Sequence, residues 1–126
     1  MSVEHLSEID YSSIGKSRAI RIFANMAPAA RNSLRRQRCY ERECLCQDMA
    51  EQEAIKIRRK MPYFFGTHVI GFRATRGYGL FEEAFMATLT RLLFEERQRE
   101  LAARRRELNR RRSACNSEKR RLAHAG

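Results

Sequence analysis

Between Arg97 and Arg121 the chain places eleven Arg or Lys residues against three acids, including the runs Arg104-Arg105-Arg106, Arg110-Arg111-Arg112 and Lys119-Arg120-Arg121. Such a segment repels itself and has almost nothing to bury, so any core must come from the residues before it. Its cations become comfortable against a polyanion, a row of acidic side chains or lipid phosphates. The segment reads as a partner-binding surface, and the chain as a binding protein.

The upstream supply of apolar residues is small. Leu, Ile, Val and Phe together make 26 of 126 residues, close to the level at which highly charged chains stay disordered. The expectation is a mainly α, elongated chain with little independent core, ordered with the help of a partner. A net charge of +11 suits nucleic acid, acidic protein and anionic membrane alike. The cations are 22 Arg and only 4 Lys. Guanidinium forks bind phosphate bidentately and stack on bases, although a GC-rich coding sequence produces the same bias without any function. Charge also alternates in blocks, acidic over 1–15, 43–53 and 77–96 and basic over 16–42, 54–76 and 97–126. That pattern fits a chain threading past several neighbours, or blocks that pair with one another.

Residues 1–16, with Ser12, Ser13 and Gly15, read as an extended arm, 17–96 as a single small helical unit and 97–126 as an Arg-rich helical extension. Within the unit, a short helix is expected over Ser17–Met26. Pro28 suits the first position of a second, long helix over about 28–60, where its missing N–H costs nothing. The apolar face of that helix, Leu34, Tyr40, Leu45, Met49 and Ile57, is too sparse for a full core stripe. Residues 61–79 concentrate aromatics and glycines and predict a short hairpin or loop. His68 lies there among apolar neighbours and is read as a packed histidine, not a base.

A third helix is expected over about 80–112. Its first half carries the best amphipathic signal in the chain, Phe81, Phe85, Leu89 and Leu92, which we assign to protein docking. Beyond it the apolar line thins to Phe94, Leu101, Leu108 and Cys115, one residue in seven, and the second seam position holds Arg97, Arg104 and Arg111. A coiled coil needs two apolar positions per heptad, which excludes that arrangement.

The cysteines follow C-x4-C-x-C at Cys39, Cys44 and Cys46, with Cys115 far downstream, a poor match to the paired ligands of structural zinc. Reduced, partly buried thiols are expected, with no metal and no cofactor. Arg76-Gly77-Tyr78-Gly79 matches the opening of one base-stacking motif of RNA-recognition domains, but Leu80, Glu82 and Glu83 then replace its aromatic and apolar residues. Arg73, Arg76 and Tyr78 still combine cation and ring as base-stacking surfaces do. No phosphate loop, HExxH or nucleophile elbow occurs, so no enzyme is expected.

No run reaches the roughly eighteen apolar residues that span a bilayer, so no transmembrane segment is expected, though peripheral membrane contact fits the charge. Glu4, Glu8 and Asp10 do not resemble a secretory signal, whereas the acid-free stretch from Tyr11 to Tyr40 has the composition of a mitochondrial transit segment. The expected function is a structural RNA-binding component of a large ribonucleoprotein, like a ribosomal protein, with the mitochondrial ribosome as one setting. The alternative is a non-catalytic accessory subunit of a large protein assembly, such as a respiratory complex or a microtubule-associated layer, binding acidic protein surfaces. The expected binding residues are Arg35, Arg36, Arg38, Arg58, Arg59, Arg73, Arg76, Tyr78, Arg104, Arg105, Arg106, Arg110, Arg111, Arg112, Arg120 and Arg121.

Overall fold

The computed structural model describes residues 9–66 and 71–125. It is mainly helical: α1 spans Tyr11–Asn25, α2 Pro28–Arg36, α3 Cys39–Lys60 and α4 Arg76–Ala125, with one 3-10 turn at Phe72–Ala74. Among the described residues there is no strand. The chain divides into two compact units, Met1–Leu93 and Phe94–Gly126, with α4 running through the boundary.

The first unit has a core, and large aromatics dominate it. Phe81, Phe85 and Leu89 of α4 are completely buried and Leu93 nearly so, the i, i+4, i+8 line that the sequence predicts, closed by Leu93 in place of Leu92. Burying each of these side chains contributes about 1.5–3 kcal/mol. Against them lie Phe64, Phe65, Phe72 and Tyr78, whose rings meet edge-on or stacked at centroid distances of 4.5–6.1 Å. The contribution of α3 is Cys46, Ala50, Ala54 and Ile57, all buried. Apart from Ile57, this face is built of small residues. Of the expected face, Leu34 and Ile57 are buried and Met49 packs against the core, whereas Tyr40 and Leu45 are exposed.

The expected arm over 1–16 is replaced, from Tyr11 onward, by α1. Asp10 caps it, accepting from the Ser13 N–H at 3.1 Å and the Ser13 hydroxyl at 2.6 Å. Those bonds hold the Asp10 carboxyl below its ordinary pKa. Gly15 is buried, and a Cβ built there would lie 2.3 Å from the Phe81 carbonyl oxygen, so only glycine permits this approach of α1 to α4. One turn earlier, the Tyr11 ring packs on Phe64 and Phe65. Glu53 of α3 is 3% exposed and faces Arg18 of α1 at 3.5 Å and Lys56 at 3.0 Å, a charge sealed between two helices.

The single helix expected over 28–60 is broken at Gln37 and Arg38, which adopt extended backbone although neither is Gly or Pro. Arg42 reaches back to the Arg35 and Gln37 carbonyls at 3.5 and 3.4 Å, giving the end of α2 the partners that a continuing helix would have supplied. The break lets both Leu34 of α2 and the small face of α3 enter the core. Of the hairpin or loop expected over 61–79, the described residues up to Thr75 form turns and the 3-10 turn and no hairpin. Met61–Gly66 forms turns held by Arg58, which donates to the Phe64 carbonyl and, at 3.4 Å, to the Gly66 carbonyl. Phe65 takes a left-handed φ of 70°, a strained setting imposed by five aromatic neighbours around its ring. His68, Val69 and Ile70, on which part of that expectation rested, lie outside the described residues.

α4 begins four residues earlier than predicted, because Thr75 caps it. Its hydroxyl accepts from the Tyr78 N–H at 3.2 Å and donates to the Phe72 carbonyl at 2.6 Å. At the other end α4 continues beyond 112 to Ala125, carried by Ala, Arg, Glu and Leu with neither Gly nor Pro in between.

Candidate partner-binding surface

The arginines fall into two populations. In the first unit several hold the fold together. Arg31 donates to the Phe23 carbonyl at 2.8 and 3.1 Å and lies 4.2 Å over the Phe23 ring, satisfying a carbonyl at the end of α1. Arg35 donates to the Asn32 side chain and, at 3.4 Å, to the Leu93 carbonyl. Besides binding the turn carbonyls, Arg58 lies 4.9 Å over Phe72. Arg73 pairs with Glu51 and lies 5.5 Å over the same ring. Of the expected binding cations, Arg35, Arg58 and Arg73 thus have intramolecular roles, while Arg36, Arg38, Arg59 and Arg76 are exposed.

Tyr78 is corrected outright as a base-stacking residue. It is 4% exposed, with Phe65, Phe72 and Phe81 around its ring, so no base reaches its face without unpacking the core. Burial first, and then the neighbouring Glu82 carboxylate, push its phenol well above the ordinary pKa, so it stays neutral. The docking set Phe81, Phe85 and Leu89 is likewise consumed within the chain, and Leu92 is half-buried. Their amphipathic signal is real, but it is satisfied by the chain's own α3 and aromatic turns.

The second unit shows the other population. Arg104, Arg105, Arg106, Arg110, Arg111, Arg112, Arg120 and Arg121 are all exposed along its helix. Glu107 pairs with Arg110 at 2.8 Å and Arg111 at 3.1 Å, Arg97 with Glu100 at 3.5 Å and Arg121 with Glu118 at 3.6 Å. The two arginines hold the Glu107 carboxyl below its ordinary pKa. With successive residues about 100° apart, Glu96, Glu100, Glu107 and Glu118 share an arc of roughly 40°, while Glu95 falls on the far side, ten residues before Arg105. Arg105, Arg106, Arg112, Lys119 and Arg120 lie away from that arc, and none has an acid three or four residues off in either direction. From Arg105 to Arg120 they form an exposed cationic face with no acid on that face within a turn to neutralise it.

Elsewhere, an open cleft of about 320 Å³ is lined by Cys39, Arg42, Glu43, Cys46, Met86, Ala87 and Thr90. Two thiols reach it, an outcome of the seven-residue spacing on α3. All four cysteines are free: Cys39 and Cys115 exposed, Cys44 half-buried and Cys46 buried, its thiol pKa raised chiefly by burial. Among the described residues no three metal-ligating side chains converge. No described helix is long and apolar enough to cross a membrane. Compared with known proteins, the chain matches no family model, no curated protein and no solved structure.

Proposed function

We propose that this is a non-catalytic, structural RNA-binding component of a large ribonucleoprotein, in which the 1–93 unit is the folded body and the 94–126 helix meets phosphates. The observation that carries this reading is the acid-free face of Arg105, Arg106, Arg112, Lys119 and Arg120, rigidly spaced and exposed. Phosphate oxygens are the complement of such a row, because each contact releases a condensed counterion. A mitochondrial ribosome is one such assembly; the acid-free composition of residues 11–40 supports import into that organelle.

The test is fluorescence anisotropy of the full chain with a labelled single-stranded RNA across a salt series. Five phosphate contacts on a single strand give a log–log slope of about −3.5. Replacing these five cations by Gln makes the slope shallower by about that amount, and the fold, monitored by near-ultraviolet circular dichroism, is retained. A slope that the five substitutions leave unchanged refutes the reading. The accessory-subunit alternative, in which acidic protein replaces RNA, has one observation in its favour, an apolar line on the same helix.

A further inference from the structure

Leu101, Leu108, Cys115 and Leu122 recur every seven residues along the helix of the second unit, and all are exposed, the leucines by 44%, 54% and 65%. Nothing within the unit covers them. What surrounds them is specific. Leu101 has Arg97, Arg104 and Arg105 three or four residues away; Leu108 has Arg104, Arg105, Arg111 and Arg112; Cys115 has Arg111, Arg112 and Lys119, with Glu118 beside them. From Leu101 to Cys115 the apolar side chains thus run between flanking cations, an apolar line with a charged rim, which is the layout of a protein interface.

The rim decides the occupant. A second copy would lay Arg104, Arg105, Arg111 and Arg112 against themselves, and like charges brought together oppose that pairing. A bilayer calls for an apolar face about 100° wide, whereas this line is one residue wide. RNA phosphates answer the cations but gain nothing from the leucines. An acidic amphipathic helix answers both, apolar residues on the leucines and carboxylates on both cationic flanks. We infer that the line Leu101, Leu108, Cys115 and Leu122 docks an acidic helix of a protein neighbour, beside the phosphate-binding face and sharing Arg105, Arg112 and Lys119 with it as a border. The inference does not rest on RNA binding. Docking also supports the helix itself, since a long helix without a buried face is marginal on its own.

The experiment uses the full chain and two synthetic helical peptides of identical composition, rich in Glu. One carries leucine every seventh residue with Glu on both flanks; in the other the leucines are distributed around the helix. The first peptide binds at least about tenfold more tightly than the second, as expected for burial of three half-exposed leucines. Leu101→Ala/Leu108→Ala/Leu122→Ala, which changes no charge and favours helix, removes that difference and leaves the RNA salt slope at its wild-type value. Equal binding of the two peptides, or a difference that survives the triple substitution, overturns the proposal. So does a homodimer in sedimentation that the substitution dissociates, which makes a second copy the occupant. Loss of RNA affinity in the triple variant also overturns it, by assigning the line to RNA.

Discussion

Substitution of Gly15 by Ala should destabilise the first unit, although the same change at most exposed helical glycines does the opposite. The new Cβ would meet the Phe81 carbonyl oxygen at 2.3 Å, its carbon at 3.1 Å and its Cα at 3.2 Å. A carbon normally stands about 3.3–3.6 Å from such an oxygen, so α1 must retreat by roughly 1 Å. The obstacle is backbone inside a helix and cannot rotate aside. A gap of that size forfeits about a quarter to a half of each dispersion contact along the seam, at buried Ala19 and beneath Tyr11 among others. Overpacking of this kind costs about 1–3 kcal/mol, offset by up to about 1 kcal/mol from the better helix propensity of Ala. The net expectation is a loss of about 1–2 kcal/mol, which lowers Tm by roughly 5–15 °C for a unit of this size. Gly79 is the internal control: it lies in α4 with nothing within 4 Å of a built Cβ, so Gly79→Ala should stabilise by about 0.5–1 kcal/mol. Thermal and urea melts followed by the near-ultraviolet signal of Tyr11 and Tyr78 report this unit and not the 94–126 helix. Equal or greater stability of Gly15→Ala would refute the seating of α1 on the Phe81 backbone.

Three further outcomes follow from the same packing. Arg18→Ala leaves the buried Glu53 carboxylate with only Lys56 as a partner and should cost about 1–3 kcal/mol, whereas Lys56→Ala removes only the more exposed partner and should cost less than about 1 kcal/mol, both read by urea denaturation. The Asp10 carboxyl is held below its ordinary value of 3.8 by Ser13, so its cap stabilises above that value and is lost as pH falls through the lower folded-state value. Helicity of α1 should therefore decline on acidification below about pH 4 in the wild type, while Asp10→Asn, which caps without titrating, removes this contribution. An aromatic disulfide reagent should label Cys39 and Cys115 quickly, Cys44 more slowly and Cys46 only on unfolding; prompt labelling of Cys46 would mean that α3 does not bury it.

What the sequence made legible depended on residue size and on whether a contact was local. The line Phe81, Phe85, Leu89 was readable because large apolar side chains at helical spacing form a stripe that water disfavours and that the fold must therefore cover. On the complementary face Ile57 was readable but Cys46, Ala50 and Ala54 were not, because small residues carry little hydrophobic signal, and their value lies in the closeness they permit, which only the fold reveals. The first turns of α1, residues 11–16, read as an arm for a related reason, whereas the rest of α1 matches the helix expected over Ser17–Met26: Gly15 lowers helix propensity and looks like loop, yet the fold requires it to be small. The break at Gln37 and Arg38 has no Gly or Pro to announce it and depends on Arg42 reaching back to two carbonyls.

The cationic surface divides along the same line. A guanidinium that caps a carbonyl and one left exposed are the same letter, so Arg35, Arg58 and Arg73 could not be told from Arg36 or Arg59 without the carbonyls, rings and carboxylate that the tertiary fold brings to them. Along 94–126 the deciding partners are three and four residues away on one helix, and the spacing alone separates the paired arginines from Arg105, Arg106, Arg112, Lys119 and Arg120. The same spacing rings Leu108 with four arginines, which a composition count sees only as charge. Sequence therefore identifies this surface best where the structure adds least tertiary contact, and there the leucines become the discriminating residues, because phosphate affinity is indifferent to them and a protein partner is not.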